Sequence, residues 1–260
     1  MPHGNVQRMF LFEQTTFVYL IFFAVLGLVF GSFGNVLIYR IPNNQGLGGR
    51  SKCPSCSTTI RSFDLIPVIS YLLLAGRCRK CKATIAIRYP AIELISGVLF
   101  VLAYIQMGSV LTGLLLAFAI WLLLLIAAID QSTQGIPDIL NIPLIVISIA
   151  FGITQGHLSL IAFLIGTGFF FIQWAVSRGK WIGSGDVLLS IALTALLGKW
   201  NLVLVMLCSA YIVGSIFAVY LLIKKKCSGQ DHLAFAPFLV IGTLIALFLG
   251  EIILSKLLLI

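Results

Sequence analysis

The chain has 260 residues, 60% of them from the set AVILMFWYC, with a further 24 glycines and only 10% charged residues. An ordinary soluble domain is about 45 to 50% apolar with glycine included and about a quarter charged, whereas the mean hydropathy here is +1.11. These values exclude a soluble globule, a disordered chain and a nucleic-acid-binding protein. What remains is a polytopic membrane protein, an all-α bundle of helices, and the formal charge of +9 becomes a question of which side of the bilayer holds it.

A helix needs about 20 mostly apolar residues to cross roughly 30 Å of hydrocarbon. Eight such runs occur, at about 17–38, 90–107, 110–129, 139–155, 158–177, 181–198, 202–223 and 233–254, the fourth and sixth being short or interrupted. The first is too long for a cleaved secretory signal and has no basic flank ahead of it, so it is expected to be retained. Eight alternating spans put Arg40, Arg50, Lys52, Arg61, Arg77, Arg79, Lys80, Lys82, Arg88, Arg178, Lys180 and Lys224 to Lys226 on one side, and Arg8, Lys199 and Lys256 on the other. Fourteen basic residues against three predict a cytoplasmic loop over 40–89, with both termini outside. The expected organisation is a first span at 1–39, that loop, and a transmembrane core at 90–260. Within the loop, residues 65–75 are apolar but too short to span and are interrupted by Pro67, which predicts an interfacial segment. No internal repeat is evident, and nothing in the sequence fixes an oligomeric state.

The loop carries Cys53-Pro-Ser-Cys56 and Cys78-Arg-Lys-Cys81. Disulfides are not expected in the cytoplasm. Two short Cys-x-x-Cys knuckles bring four thiolates onto one zinc ion, and the basic residues flanking them offset the negative charge of such a site. A closed four-cysteine site has no open position for substrate, so its expected role is to fold the loop. A redox pair or free thiols are the alternative. Cys208 and Cys227 have no evident partner.

The acidic residues are Glu13, Asp64, Glu93, Asp130, Asp138, Asp186, Asp231 and Glu251. Asp130 ends the third span, Asp138 opens the fourth, and Asp186 follows Gly183-Ser-Gly185 near the start of the sixth. Carboxylates at membrane depth face a bundle interior or a water-filled cavity. Two of them a few ångströms apart share one proton, one activating a water while the other protonates the carbonyl or leaving amine. Gly183 and Gly185 would let an extended substrate strand lie beside Asp186. Each acid also has a purely structural reading: Asp138 or Asp186 as a helix cap, Asp130 as the polar end of a span, Asp64 and Asp231 as solvated loop charges. His157 and His232 are too far apart in the topology for a histidine site.

In order and spacing, the segment from Gly31 to Pro42 (GSFGNVLIYRIP), the double knuckle, Arg88-Tyr-Pro-Ala-Ile-Glu93, Asp130 with six residues between it and Pro137-Asp138, and the Gly-x-Gly-Asp at 183–186 resemble the bacterial type IV prepilin peptidases. These are also called leader peptidases and N-methyltransferases, and belong to the Gly-x-Gly-Asp intramembrane aspartic proteases. The resemblance spans nearly the whole chain. It implies that Asp130 and Asp186 form a catalytic pair, that the basic leader of prepilin or pseudopilin substrates is cut after a glycine at the cytoplasmic side of the inner membrane, and that the new amino terminus is methylated from S-adenosylmethionine. It makes Glu93 and Gly97 the candidates for the second activity. The chain departs from the family with Leu188 where lysine is common, Ser184 where a bulkier apolar residue is common, and Ala236 where glycine is frequent. The competing readings are a proton-coupled transporter using the buried aspartates and a non-catalytic membrane adaptor of a secretion or pilus assembly.

Overall fold

The computed structural model describes residues 3–224 and 233–257, with side chains described over 16–224 and 233–256. Cys227, Lys225, Lys226, Asp231, His232 and the side chains of Arg8 and Glu13 lie outside them. Among the described residues nine α-helices follow in chain order: α1 His3–Arg40, α2 Ile69–Leu73, α3 Arg88–Met107, α4 Val110–Thr133, α5 Asp138–Gln155, α6 Leu160–Ser177, α7 Ser184–Leu197, α8 Trp200–Ile223 and α9 Ala236–Leu257. A 3₁₀ turn, Ser62–Leu65, precedes α2, and there is no strand among the described residues. Seven of the helices are long and apolar enough to cross a membrane. The eighth apolar one, α7, has 14 residues and is only about 21 Å long. The expected run at 181–198 is trimmed because Trp181 to Gly183 are not helical and the helix begins only where Gly183 caps it.

The chain divides into two compact units, Met1–Trp121 and Leu122–Ile260. In the first, α1 and α3 run antiparallel in close contact. Lipid supplies no hydrophobic drive between helices, so small residues that let backbones approach are what hold them together. A Cβ on Gly27 would lie 2.6 Å from the Ser96 carbonyl oxygen, and one on Gly31 would lie 2.6 Å from the Glu93 Cα. Around this seam Phe30 packs edge-on against Phe118 and Trp121, and the Trp121 indole donates to the Phe30 carbonyl at 3.1 Å.

The loop of the first unit is built from one element used twice. Lys52 pairs with Thr59, and Arg77 with Thr84. Cys53 N–H donates to the Thr58 carbonyl and Cys78 N–H to that of Ala83, while Ser57 and Lys82 donate back to the Cys53 and Cys78 carbonyls. Ser57 and Lys82 both take positive φ, 53° and 59°. Each position is offset from its counterpart by 25 residues, Lys52 to Arg77 and Thr59 to Thr84. The sequence shows no obvious repeat because only the cysteines, one threonine and an isoleucine match between the copies; the backbone hydrogen bonds carry the rest. Between the knuckles, α2 leaves Leu72 and Leu73 70% and 81% exposed, in keeping with the interfacial segment expected there.

In the second unit α7 packs against α5 and α6, and α8 against α9. Outward-facing Ile153, Leu160 and Ile223 are largely exposed, the pattern of helices whose solvent is lipid. Gly198 closes α7 at φ +67°, where any Cβ would collide with the His157 ring.

Candidate active site

Asp130 sits near the end of α4 and is 5% exposed. Its Oδ2 accepts the backbone N–H of Ala236, the first residue of α9, at 3.0 Å. Asp186 is the third residue of α7. Its Oδ2 accepts the Gly183 N–H at 3.2 Å, and the Asp186 N–H donates back to the Gly183 carbonyl at 3.2 Å. Asp186 therefore serves as an N-terminal cap and is also aimed at a shared space. Both acids line one cavity of about 510 Å³, together with Ile136, Gly183, Gly185 and Phe235.

The two glycines contribute differently. Gly183 has φ −74° and ψ 157°, which any residue adopts. Gly185 is required by close approach, since a Cβ there would lie 3.0 Å from the Ile136 Cβ. Asn141, fully buried on α5, donates to the Gly185 carbonyl at 3.2 Å and holds the Gly-x-Gly-Asp turn against the start of that helix. Asp138 is exposed at the first position of α5; the cap residue is Pro137, and no side-chain capping bond forms. The histidine reading finds no support: His157 lies against Gly198, about 18 Å along α7 from Asp186.

Sequence reasoning missed Ala236 N–H and Asn141. The first is a backbone donor and leaves no residue-type signal. The second was visible as an amide inside an otherwise apolar run. The Ala236 departure from the family pattern is now explained, because the working atom at 236 is the peptide nitrogen, which alanine supplies as glycine does.

In the first unit the four cysteine sulfurs all lie within 4.8 Å of one another, with Cys53 and Cys81 Sγ 3.8 Å apart. Four thiolates around a tetrahedral zinc at 2.3 Å have sulfurs about 3.8 Å apart, so the cluster fits a metal ion. Hydrogen bonds with the Thr58 side chain and backbone hold the Cys56 thiol down at about 6. Despite a backbone hydrogen bond from Ala83, burial and the neighbouring thiols push Cys81 up to about 11. Asp64 is not a solvated charge. Arg79, between the second pair of cysteines, donates to both of its oxygens at 2.7 to 3.2 Å and holds its carboxyl below the usual carboxylate range. Glu93 and Gly97 lie one turn apart on α3. Glu93 Oε2 accepts the Val68 N–H at 2.8 Å, and a Cβ on Gly97 would lie 3.2 Å from the Leu28 side chain.

Two family models match: the bacterial peptidase A24 N-terminal domain over residues 25–107 and the type IV leader peptidase family over residues 116–219. The chain belongs to the type IV leader peptidase family. It is 36% identical to the prepilin leader peptidase/N-methyltransferase of Neisseria gonorrhoeae, with 84% of this chain and 86% of that protein covered. The proteins of the same name from Burkholderia pseudomallei strain K96243 and Dickeya chrysanthemi are each 34% identical, covering 89% and 90% of this chain and 85% and 93% of their own length. No solved structure matches. The chain is thus a membrane-embedded enzyme of the leader-peptidase class, with a cysteine cluster suited to a metal.

Proposed function

We propose that the chain removes the basic leader of prepilin or pseudopilin substrates after a glycine and then methylates the new amino terminus. Asp130 and Asp186 are the catalytic pair. The observation that carries this is their convergence on one cavity from separate helices, each with one oxygen held by a backbone N–H. One carboxylate takes a proton from a water that attacks the scissile carbonyl, while its protonated partner donates to the carbonyl oxygen. Collapse of the resulting diol passes a proton to the leaving amine. The Ala236 and Gly183 N–H groups fix the carboxyl rotamers, so the remaining oxygens face the cavity. Gly185, without a side chain, keeps the turn tight against Ile136.

The uneven distribution of basic residues supports a multi-pass inner-membrane orientation with the acid pair and the cysteine loop in the cytoplasm and the substrate helix entering from the bilayer. Methylation extends to this chain from the names of its relatives, with Glu93 and Gly97 as its candidate residues; S-adenosylmethionine, when bound, supplies an electrophilic methyl group. Zinc, held by Cys53, Cys56, Cys78 and Cys81, folds the loop.

The test is purified protein acting on a peptide that joins a basic leader, a glycine and an apolar helix, with products read by mass spectrometry. Wild type releases the leader and adds about 14 mass units, one methyl in place of a hydrogen, to the product. Asp130→Asn and Asp186→Asn release none, and cleavage by either variant at the wild-type rate would sink the assignment.

A further inference from the structure

The seam between α1 and α3 contains more polar groups than its packing explains. Asn35 is 3% exposed, Glu93 9% and Ser96 0%. Asn35 donates to the Tyr89 carbonyl at 3.0 Å, but its Oδ1 has no partner among the described residues, nor has the Ser96 hydroxyl. Glu93 receives the Val68 N–H and a hydrogen bond from Ser32, yet no cationic side chain pairs with it among the described residues. Gly31 packs on the Glu93 Cα and the Ser96 Cβ, so these groups share one face of the seam. A buried carboxylate without a cation is costly, and so is each orphaned acceptor. A compact cation with several N–H donors is the kind of group that would satisfy all of them at once.

Val68, which covers the carboxylate, is itself strained. Its φ of 62° and ψ of −49° are poor for a β-branched residue. Strain of this kind persists where the surroundings impose it, and it collects at ligand clamps. Here a three-residue turn, closed by the Ile69 N–H donating to the Pro67 carbonyl at 2.6 Å, sets these angles, and the Val68 N–H is held by Glu93.

From these features we infer that Glu93, Asn35 and Ser96 form a binding site for a primary ammonium group, with Val68 as its cover. An ammonium offers three N–H donors to one carboxylate and two neutral oxygens. Two sources share this chemistry: the amino terminus freed by leader cleavage, and the α-ammonium of the methyl donor. The inference rests on the methylation reading. It also reassigns Gly97, which acts by letting α1 approach rather than by touching a ligand.

The test uses the full chain in detergent and reads binding directly. One arm compares a cleaved-form peptide bearing a free amino terminus with its N-acetylated form. The other compares S-adenosylmethionine with an analogue lacking the α-amino group. In one arm the free ammonium binds about tenfold or more tightly, and that arm identifies the source. Glu93→Gln, which keeps an acceptor for Val68, and Asn35→Leu remove the preference, while metal content, read on the same samples as a check of folding, stays at the wild-type level. Equal binding of the paired ligands in both arms, or an unchanged preference in both variants, overturns the ammonium site. A wild type that binds with the preference but transfers no methyl group overturns the methylation reading instead.

Discussion

The cysteine knuckles and the aspartate cavity are sites built by opposite routes. A knuckle is a local object: ten consecutive residues close a hairpin, and its backbone alone sets two thiols at a turn. Only the meeting of two such hairpins is long-range. The cavity has no local precursor. Ala236, which fixes Asp130, is 106 residues away, and Asn141 reaches the Gly-x-Gly-Asp turn across 44. A site of local hairpins is written into the sequence as a spacing. A site made of helix ends is recorded only in the pairing of the helices.

The largest effect that sharpens this contrast is loss of either acid. Asparagine keeps the shape and one acceptor oxygen, so the bonds from Ala236 and Gly183 survive and the fold is retained. Cleavage nevertheless falls by on the order of 10⁴-fold, as when one member of a cooperating catalytic group is removed. Single-turnover assays at saturating substrate separate this from weakened binding.

The knuckles should respond quite differently. Cys53→Ser and Cys78→Ser occupy equivalent positions in the two copies, so they should lower metal content to the same degree. Their effect on cleavage should be far smaller than that of the acid variants. Metal uptake should also release protons and weaken as the pH falls, because thiolates are the ligands. Cys56, held down at about 6, and Cys81, pushed up to about 11, start from opposite sides of neutral pH, so of these two the raised thiol supplies most of the released proton. Unequal serine variants would break the two-copy description of the loop.

Between these extremes lies the backbone donor to Asp130. Ala236→Gly retains the N–H and should leave cleavage close to wild type. Ala236→Pro suits the first position of a helix but deletes the donor. Leaving a buried acceptor short costs about 1 to 3 kcal/mol, or roughly ten- to a hundredfold in kcat/KM. A proline variant as active as the glycine variant would show that the N–H does not hold the carboxyl group in place.

Legibility followed the same division. The spans were readable because about 20 apolar residues have few alternatives in a membrane, and seven of the eight expected runs became helices long enough to cross. The sixth was shortened by Gly183, whose capping role depends on Asp186 reaching back to it. The four cysteines were readable from spacing. Asp130 and Asp186 were readable as costly charges in apolar runs, but spacing left each of them a structural role as well, and their shared cavity is what supports the catalytic reading beside it. Asp64 was misread as solvated because its partner, Arg79, lies 15 residues away beyond α2, a pairing that depends on how the loop folds back.

That pairing supplies the smallest effect, and the one that distinguishes the two knuckles from each other. Arg79 stands between Cys78 and Cys81, and the first knuckle has no counterpart to it: Pro54 occupies the corresponding place. The Asp64 side chain is 8% exposed and that of Arg79 55%, so water screens much of the attraction and the gain is modest. Because Arg79 holds the Asp64 carboxyl below its ordinary 3.8, the folded loop binds fewer protons than the unfolded one in the acid range. The pair's contribution is therefore fully present at neutral pH and is lost as the pH falls through the lowered value. Hydrogen exchange at pH 7 should be slower across residues 77–84 than across 52–59. Asp64→Asn should erase that difference without lowering metal content, because none of the thiols depends on Asp64. If the two knuckles exchange alike in the wild type, the second is not braced by this ion pair.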